Sequence, residues 1–345
     1  MRVISPTVSI GMPVYNGEPH LTKALQSLLI QDYENFELII SDNASTDATS
    51  EICRACAAND KRIRYYRNET NIGAVENFKR VFHLSSSRYF IWAAHDDLWH
   101  PSYIRKCIEG LEKNPEAVLA YSDIEFIDER GSRLDIPYHF DASGQSIARR
   151  VMAMAATKGD ILGWYEIYGM IRSECLGRTR LPMNVFGSDV ILLMELCLLG
   201  PFVRIPEILF HYRIVWSKSI QEQYEQLGSE KQSPLVQPYS GLCRELLGVI
   251  SHSNLNTITK ANLRFAFITA LYFKNPLWIN MIRSEKRALL KSYLRQKRLV
   301  KSLNARIVIW LCDISRAITK HGIHQENNHA NSKNDCDQRT GKPIP

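Results

Sequence analysis

The sequence predicts an α/β domain with a doubly wound, mostly parallel sheet, and two observations lead there. Short apolar runs alternate with amphipathic helical segments through the first 130 residues. Such alternation gives right-handed crossovers and parallel strands. Acidic residues also stand just past the apolar runs, at Asp42 and at Asp96-Asp97. An open α/β sheet binds ligands outside the carboxyl ends of its strands. Carboxylates at those points do not fill core, because burying an unpaired charge is too costly.

The elements follow in order. Residues 8–12 form the first run, ended by Pro13-Val14-Tyr15-Asn16-Gly17. A helix over 19–30 places Leu21, Ala24, Leu25, Leu28 and Leu29 on one face. Residues 36–41 are the second strand, leading into Asp42; 48–59 are the second helix and 63–66 a short third strand. Asn71-Ile72-Gly73 opens a helix that turns Val75, Phe78, Val81 and Phe82 inward. The fourth strand, 89–94, runs through His95 into Asp96-Asp97. Pro101, which has no N–H to leave unpaired, suits the first turn of a helix ending near Asn114-Pro115. A fifth strand begins over 117–121, and Asp128-Glu129-Arg130-Gly131 marks a turn. The pattern weakens over 141–159, read as a partly helical, mobile stretch near the site. It resumes over 164–171. Asp189 opens an apolar helix over 190–199, stopped by Gly200-Pro201, and a last strand over 203–209 leads into His211-Tyr212-Arg213.

This organisation implies a catalytic domain over 1–220, a helical and basic extension over 221–320, and a disordered polar tail over 321–345. No run of about 20 apolar residues is present, and the first residues lack the apolar stretch of a signal peptide. A cytoplasmic protein is expected. Cys53-x-x-Cys56 falls within a helix and has no second pair to complete a zinc site, so reduced thiols are the reading. The net charge of +7 is concentrated: residues 283–306 carry nine Lys or Arg against Glu285 alone. The rest of the chain is near neutral, which argues against nucleic acid as a partner. Leu289, Leu290, Tyr293, Leu294, Val300 and Leu303 recur near helical spacing in the basic segment. That pattern suits either an interfacial helix in peripheral contact with the cytoplasmic face of a membrane or a packed helix with a solvated basic face.

Three motifs carry a resemblance. Val8-Ser9-Ile10-Gly11-Met12-Pro13-Val14-Tyr15-Asn16, Ser41-Asp42-Asn43-Ala44-Ser45-Thr46-Asp47, and Ala94-His95-Asp96-Asp97-Leu98-Trp99 resemble successive motifs of the family-2 glycosyltransferases. The resemblance spans about residues 7–215. It implies a GT-A nucleotide-sugar-binding fold, an inverting reaction and a divalent cation, Mg²⁺ or Mn²⁺. It places Pro13, Tyr15, Asn16, Asp42 and Asp96 at the nucleotide sugar, with Asp42 accepting from a base N–H. A turn or cap residue is the bland alternative for Asp42, and Asp47 reads as a helix cap. Asp97, with Asp96, becomes the metal ligand, since a hard cation held by carboxylates and phosphate oxygens neutralises the diphosphate. Ala94 stands where the commoner acidic motif has its first Asp. Asp189 becomes the catalytic base; its alternative is a helix N-cap. Arg213 is a candidate to grip the diphosphate in a bidentate contact; Trp216 reads as ordinary packing, with stacking on a sugar ring as the alternative.

The expected function is transfer of a sugar, with inversion, from a nucleotide-sugar donor to a glycan or lipid-linked saccharide acceptor. Transfer to a polyprenyl phosphate and a non-catalytic, glycan-binding relative at the membrane stand as alternatives. A sugar-nucleotide pyrophosphorylase is disfavoured, because residues 13–17 hold one glycine and no Lys or Arg to cradle a triphosphate.

Overall fold

A computed structural model describes residues 6–144, 146–156, 165–214 and 238–288. Trp216, most of the basic segment and the 321–345 tail lie outside the described residues. The chain divides into two units, Met1–Arg283 and Ser284–Pro345. The first therefore runs well past the boundary expected near residue 220.

The first unit opens with β1 (Val8–Val14), α1 (Glu18–Leu29), β2 (Phe36–Asp42), α2 (Thr49–Asn59), β3 (Ile63–Arg67), α3 (Ala74–His83) and β4 (Tyr89–Trp92). It continues with β5 (Leu98–Trp99), α4 (Tyr103–Lys113), β6 (Leu119–Ile127), β7 (Arg133–Leu134), α5 (Ile147–Ala155), a 3-10 turn (Tyr165–Tyr168) and β8 (Met170–Arg172). It ends with α6 (Ser173–Leu176), α7 (Ser188–Leu199), β9 (Phe202–Arg213), α8 (Pro238–His252) and α9 (Thr257–Lys274). The strands form one sheet in the order β3-β2-β1-β4-β8-β6-β9-β5, with β7 on β6. The parallel ladders are the long ones; each antiparallel ladder has two residue pairs.

Double winding follows from the two-residue period of a strand. Leu38, Ile40, Tyr89 and Ile91 point to one face, joining Leu21, Leu25, Tyr103 and Leu111 of α1 and α4 in one core. Ile39, Phe90 and Trp92 point to the other, where α3, α5, α7, α8 and α9 supply Val81, Met154, Leu193, Leu246 and Phe267. Each fully buried large side chain contributes roughly 1.5–3 kcal/mol. Helix α7 is buried nearly all round, from Val190 to Cys197, which explains its apolar sequence.

Several elements differ from expectation. The last strand extends to Arg213 and the fifth to Ile127, because the two pair with each other along nine residues. Strands β5 and β7 are two residues long and carry no sequence period. Cys53 and Cys56 are free thiols on α2, and burial pushes the Cys53 thiol up to about 12. Among the described residues no helix is long and apolar enough to cross a membrane.

Candidate active site

The chain leaves β1 for β2 and β3 on one side, then returns to β4 on the other. The strand order reverses between β1 and β4, so a ligand crevice is expected beyond their carboxyl ends. Loop 15–17 forms one lip and His95-Asp96-Asp97 the other. The first lip is built rigidly. Asn16 has φ +50, and its side-chain oxygen accepts from Thr46 N at 2.9 Å. Asn16 N donates to Ser45 Oγ at 3.0 Å and Gly17 N to Thr49 Oγ1 at 2.8 Å. Asp47 accepts from Thr49 N and Glu18 N, but it stands one residue before the N-cap of α2, which is Ala48, and so is not the cap read for it. Glycine is needed at 17, since a Cβ there would lie 2.7 Å from His95 Cδ2. The His95 ring thus lies against Gly17, joining the two lips. Tyr15 stands 45% exposed at the crevice edge, whereas Pro13 is buried inside β1 opposite Ser41. Pro13 shapes the strand end.

Asp42 lies beneath the rim. It is fully buried; Oδ1 accepts from Ser45 N at 2.8 Å, and Oδ2 from Tyr65 Oη at 2.8 Å and Arg67 Nη1 at 2.7 Å. Arg67 also donates to Ser45 O at 2.8 Å. Direct contact between Asp42 and a base therefore requires Arg67 or Tyr65 to move aside. In this arrangement Asp42 orients both side chains at the rim.

Asp97 is 1% exposed. Its Oδ1 accepts from Arg213 N at 2.8 Å, while Oδ2 is buried with no hydrogen-bond partner. Burial, and next the charge of Asp96, push the Asp97 carboxyl well above the usual range; Arg213 opposes them. An orphaned buried carboxylate oxygen calls for an explanation, and a hard divalent cation supplies one. Among the described residues no group of three or more His, Cys, Asp or Glu is placed to hold a metal. A cation held by Asp97 and Asp96 would need phosphate oxygens and water to complete its shell, the usual mode for Mg²⁺.

The expectation for Arg213 needs correction. The residue is 3% exposed; Nε donates to Asp96 O at 2.8 Å, and Nη1 to Asp128 O at 2.7 Å and Glu129 O at 3.1 Å. Both hydrogens of Nη1 and that of Nε are committed, so the two-nitrogen fork needed for a bidentate phosphate contact is not available. Arg213 instead ties β9 to the acidic loop and leaves its charge beside Asp97.

Asp189 lies in the first turn of α7. The N-cap of α7 is Gly187, in the left-handed region at φ 68, where a Cβ would meet Leu242 at 2.6 Å. Ser188 Oγ accepts from Met183 N at 2.6 Å. Asp189 is therefore not the cap. It sits in the first turn, open to solvent. Surrounding protein raises its carboxyl above the ordinary value, while the N–H groups of Val190 and Asp189 work against the rise. Solvent access makes the rise smaller than full burial would give.

Three tyrosines connect the two sides. The phenols of Tyr165, Tyr168 and Tyr212 are pushed up first by burial, and each also feels the charges of Asp97 and Asp189. The Tyr165 and Tyr212 rings lie 4.4 Å apart. Asp96, Asp97 and Asp189 thus share one aromatic floor. His20, which carries no motif, joins the near side. Burial and then Arg213 lower its pKa, which favours the neutral imidazole, against a smaller opposing pull from Asp96.

Glu166 is the residue that motif reading missed. It is 1% exposed, and Tyr138 Oη lies 3.0 and 2.9 Å from its two oxygens. Burial, with a contribution from Asp189, pushes its carboxyl up to about 8 from an ordinary 4.5. The signal was an acid inside the aromatic run 164–168. Between pH 4.5 and about 8 the folded protein holds a proton that the unfolded chain has released. This contribution to stability is fully present below 4.5 and is lost as pH rises through about 8. Glu166→Gln keeps an acceptor for Tyr138 and cannot ionise. Denaturant unfolding from about pH 5 to about pH 9 should show the wild type losing a few kcal/mol relative to the variant. Parallel stability curves would refute this assignment.

The fold is that of GT-A glycosyltransferases. The chain superposes on Staphylococcus aureus TarS 1-349 crystallised with UDP-GlcNAc at a TM-score of 0.57 and 16% identity, covering 81% of this chain and 80% of that one. With the UDP complex of the same protein the TM-score is 0.56, at 15% identity over 76% and 70% of the two chains. Residues 9–170 match the model of glycosyl transferase family 2. The chain is 35% identical over 133 residues to an uncharacterized glycosyltransferase of Rickettsia typhi, covering 38% of this chain and 40% of the relative. It is 33% identical over 125 residues to another from Haemophilus influenzae, covering 36% and 39%. The matches span less than half the length of these relatives.

Proposed function

We propose that the chain transfers a sugar from a nucleotide-sugar donor to a glycan or lipid-linked saccharide by a single, inverting displacement. One observation carries the reading. A base-type carboxylate at a helix start, Asp189, and the acidic pair Asp96-Asp97 past the end of β4 bear on one cluster of buried tyrosines, Tyr165, Tyr168 and Tyr212, at the switch point of the sheet. Loop 15–17 and the rim held by Asp42 receive the nucleotide. Asp189 accepts the proton of the acceptor hydroxyl as its oxygen attacks the anomeric carbon from the face opposite the diphosphate. The carbon–oxygen bond to the diphosphate breaks, and the nucleoside diphosphate leaves with the electron pair. A Mg²⁺ or Mn²⁺ ion held by Asp97 and Asp96 would neutralise that leaving group. Asp189 suits a base because solvent reaches it and its raised pKa strengthens its hold on a proton. Neutral Glu166 nearby adds no repelling charge.

TarS, alike in fold, has been crystallised with UDP and UDP-GlcNAc, which makes uridine diphosphate sugars the first donors to test. Slow donor hydrolysis needs no knowledge of the acceptor. With an α-linked UDP-sugar and Mn²⁺, nuclear magnetic resonance should detect the β-anomer of the released sugar first. Initial release of the α-anomer would overturn single displacement at Asp189.

A further inference from the structure

Nine large hydrophobic side chains are exposed among the described residues, and five of them lie on α9: Ile258, Phe265, Ile268, Tyr272 and Phe273. Their placement is ordered. Leu263, Phe267, Ala270 and Leu271 form the buried face of the helix. Ile258, Phe265, Ile268 and Tyr272 fall on the opposite face, with exposed Ala261 completing a stripe at spacings of three and four. Phe273 is 75% exposed and widens the stripe at its carboxyl end, its ring 5.1 Å from that of Tyr272. A contiguous exposed apolar face of this kind marks an interaction surface.

Charge selects the partner. From Leu246 to Ser284 the sequence has no Asp or Glu, whereas it has Lys260, Arg264, Lys274 and Arg283. Helix α5, the main neighbour of α9, also lacks acids and shows Arg149 to solvent. A second copy seated on this stripe would bring like charges together, with no acid in the helix to pair Arg264. An anionic lipid surface matches both features, because aromatic and aliphatic side chains enter the interface while Lys and Arg meet the headgroups. We infer that α9 is a membrane-docking face that lays Phe265, Tyr272 and Phe273 into an anionic lipid surface. The inference is independent of the sugar-transfer reading.

The test is sedimentation of the full chain with phosphatidylcholine vesicles, with and without phosphatidylglycerol. Binding is expected only with the anionic lipid and should weaken as salt is raised. The exposed double variant Phe265→Glu, Phe273→Glu should retain its thermal transition and bind at least about tenfold more weakly. Leu at the same positions should preserve binding. Vesicle binding unchanged in the Glu variant, including binding abolished only by Lys291→Gln, Arg295→Gln and Arg298→Gln, would overturn the inference. So would a dimer in light scattering that Phe265→Glu dissociates while vesicles remain unbound, since a second copy would then be the occupant.

Discussion

Asp189→Asn is expected to lower sugar transfer by about 10²–10⁴-fold while leaving donor binding intact, the usual contribution of a general base. The variant keeps the shape of the side chain and removes only its ability to hold the acceptor proton. Stability should change little, because Gly187 occupies the cap and Asp189 makes no cap hydrogen bond. Only a first-turn charge is lost, worth about 0.3–1 kcal/mol. Measuring turnover and unfolding on the same protein separates the roles. A near-normal rate with a stability loss of this size would make Asp189 a structural residue of α7.

The second large effect belongs to Asp97. Asp97→Asn keeps an oxygen that can accept from Arg213 N and replaces the unpartnered oxygen with an amide that cannot ligate a cation. Transfer should fall to background. The fold should survive, because the substitution removes a buried acid whose charged form burial already disfavours. Donor binding should fall as well, because Asp96 would then meet the diphosphate without full neutralisation. The two variants differ in kind: Asp189→Asn binds donor and does not turn it over, whereas Asp97→Asn binds it poorly.

The sheet, its direction and the strand ends at Asp42, Asp96 and Asp97 were legible because buried parallel strands write continuous apolar runs. Strands β5 and β7 left no such record, being too short to show a period. The limit of the first unit was illegible for another reason: α8 and α9 share a core with α5 and α7, and such packing is invisible to local patterning. At the site, residue types named the chemistry but not the partners. Arg213 reads as a phosphate ligand until its hydrogen bonds to three backbone carbonyls are seen. Asp42 reads as an exposed acceptor until Tyr65 and Arg67 are found on it. Glu166 carries no motif, and only burial beside Tyr138 and Asp189 gives it meaning.

The central claim is a cation-dependent nucleotide-sugar site built on Asp96-Asp97. Calorimetric titration of UDP into the full chain tests it most directly, in Mn²⁺ and in excess chelator, for the wild type and for Asp97→Asn. Binding is predicted for the wild type in Mn²⁺, weakened at least about tenfold both by chelator and by the substitution, a difference of about 1.4 kcal/mol. Equal affinity in chelator, or wild-type affinity for Asp97→Asn in Mn²⁺, would contradict the account.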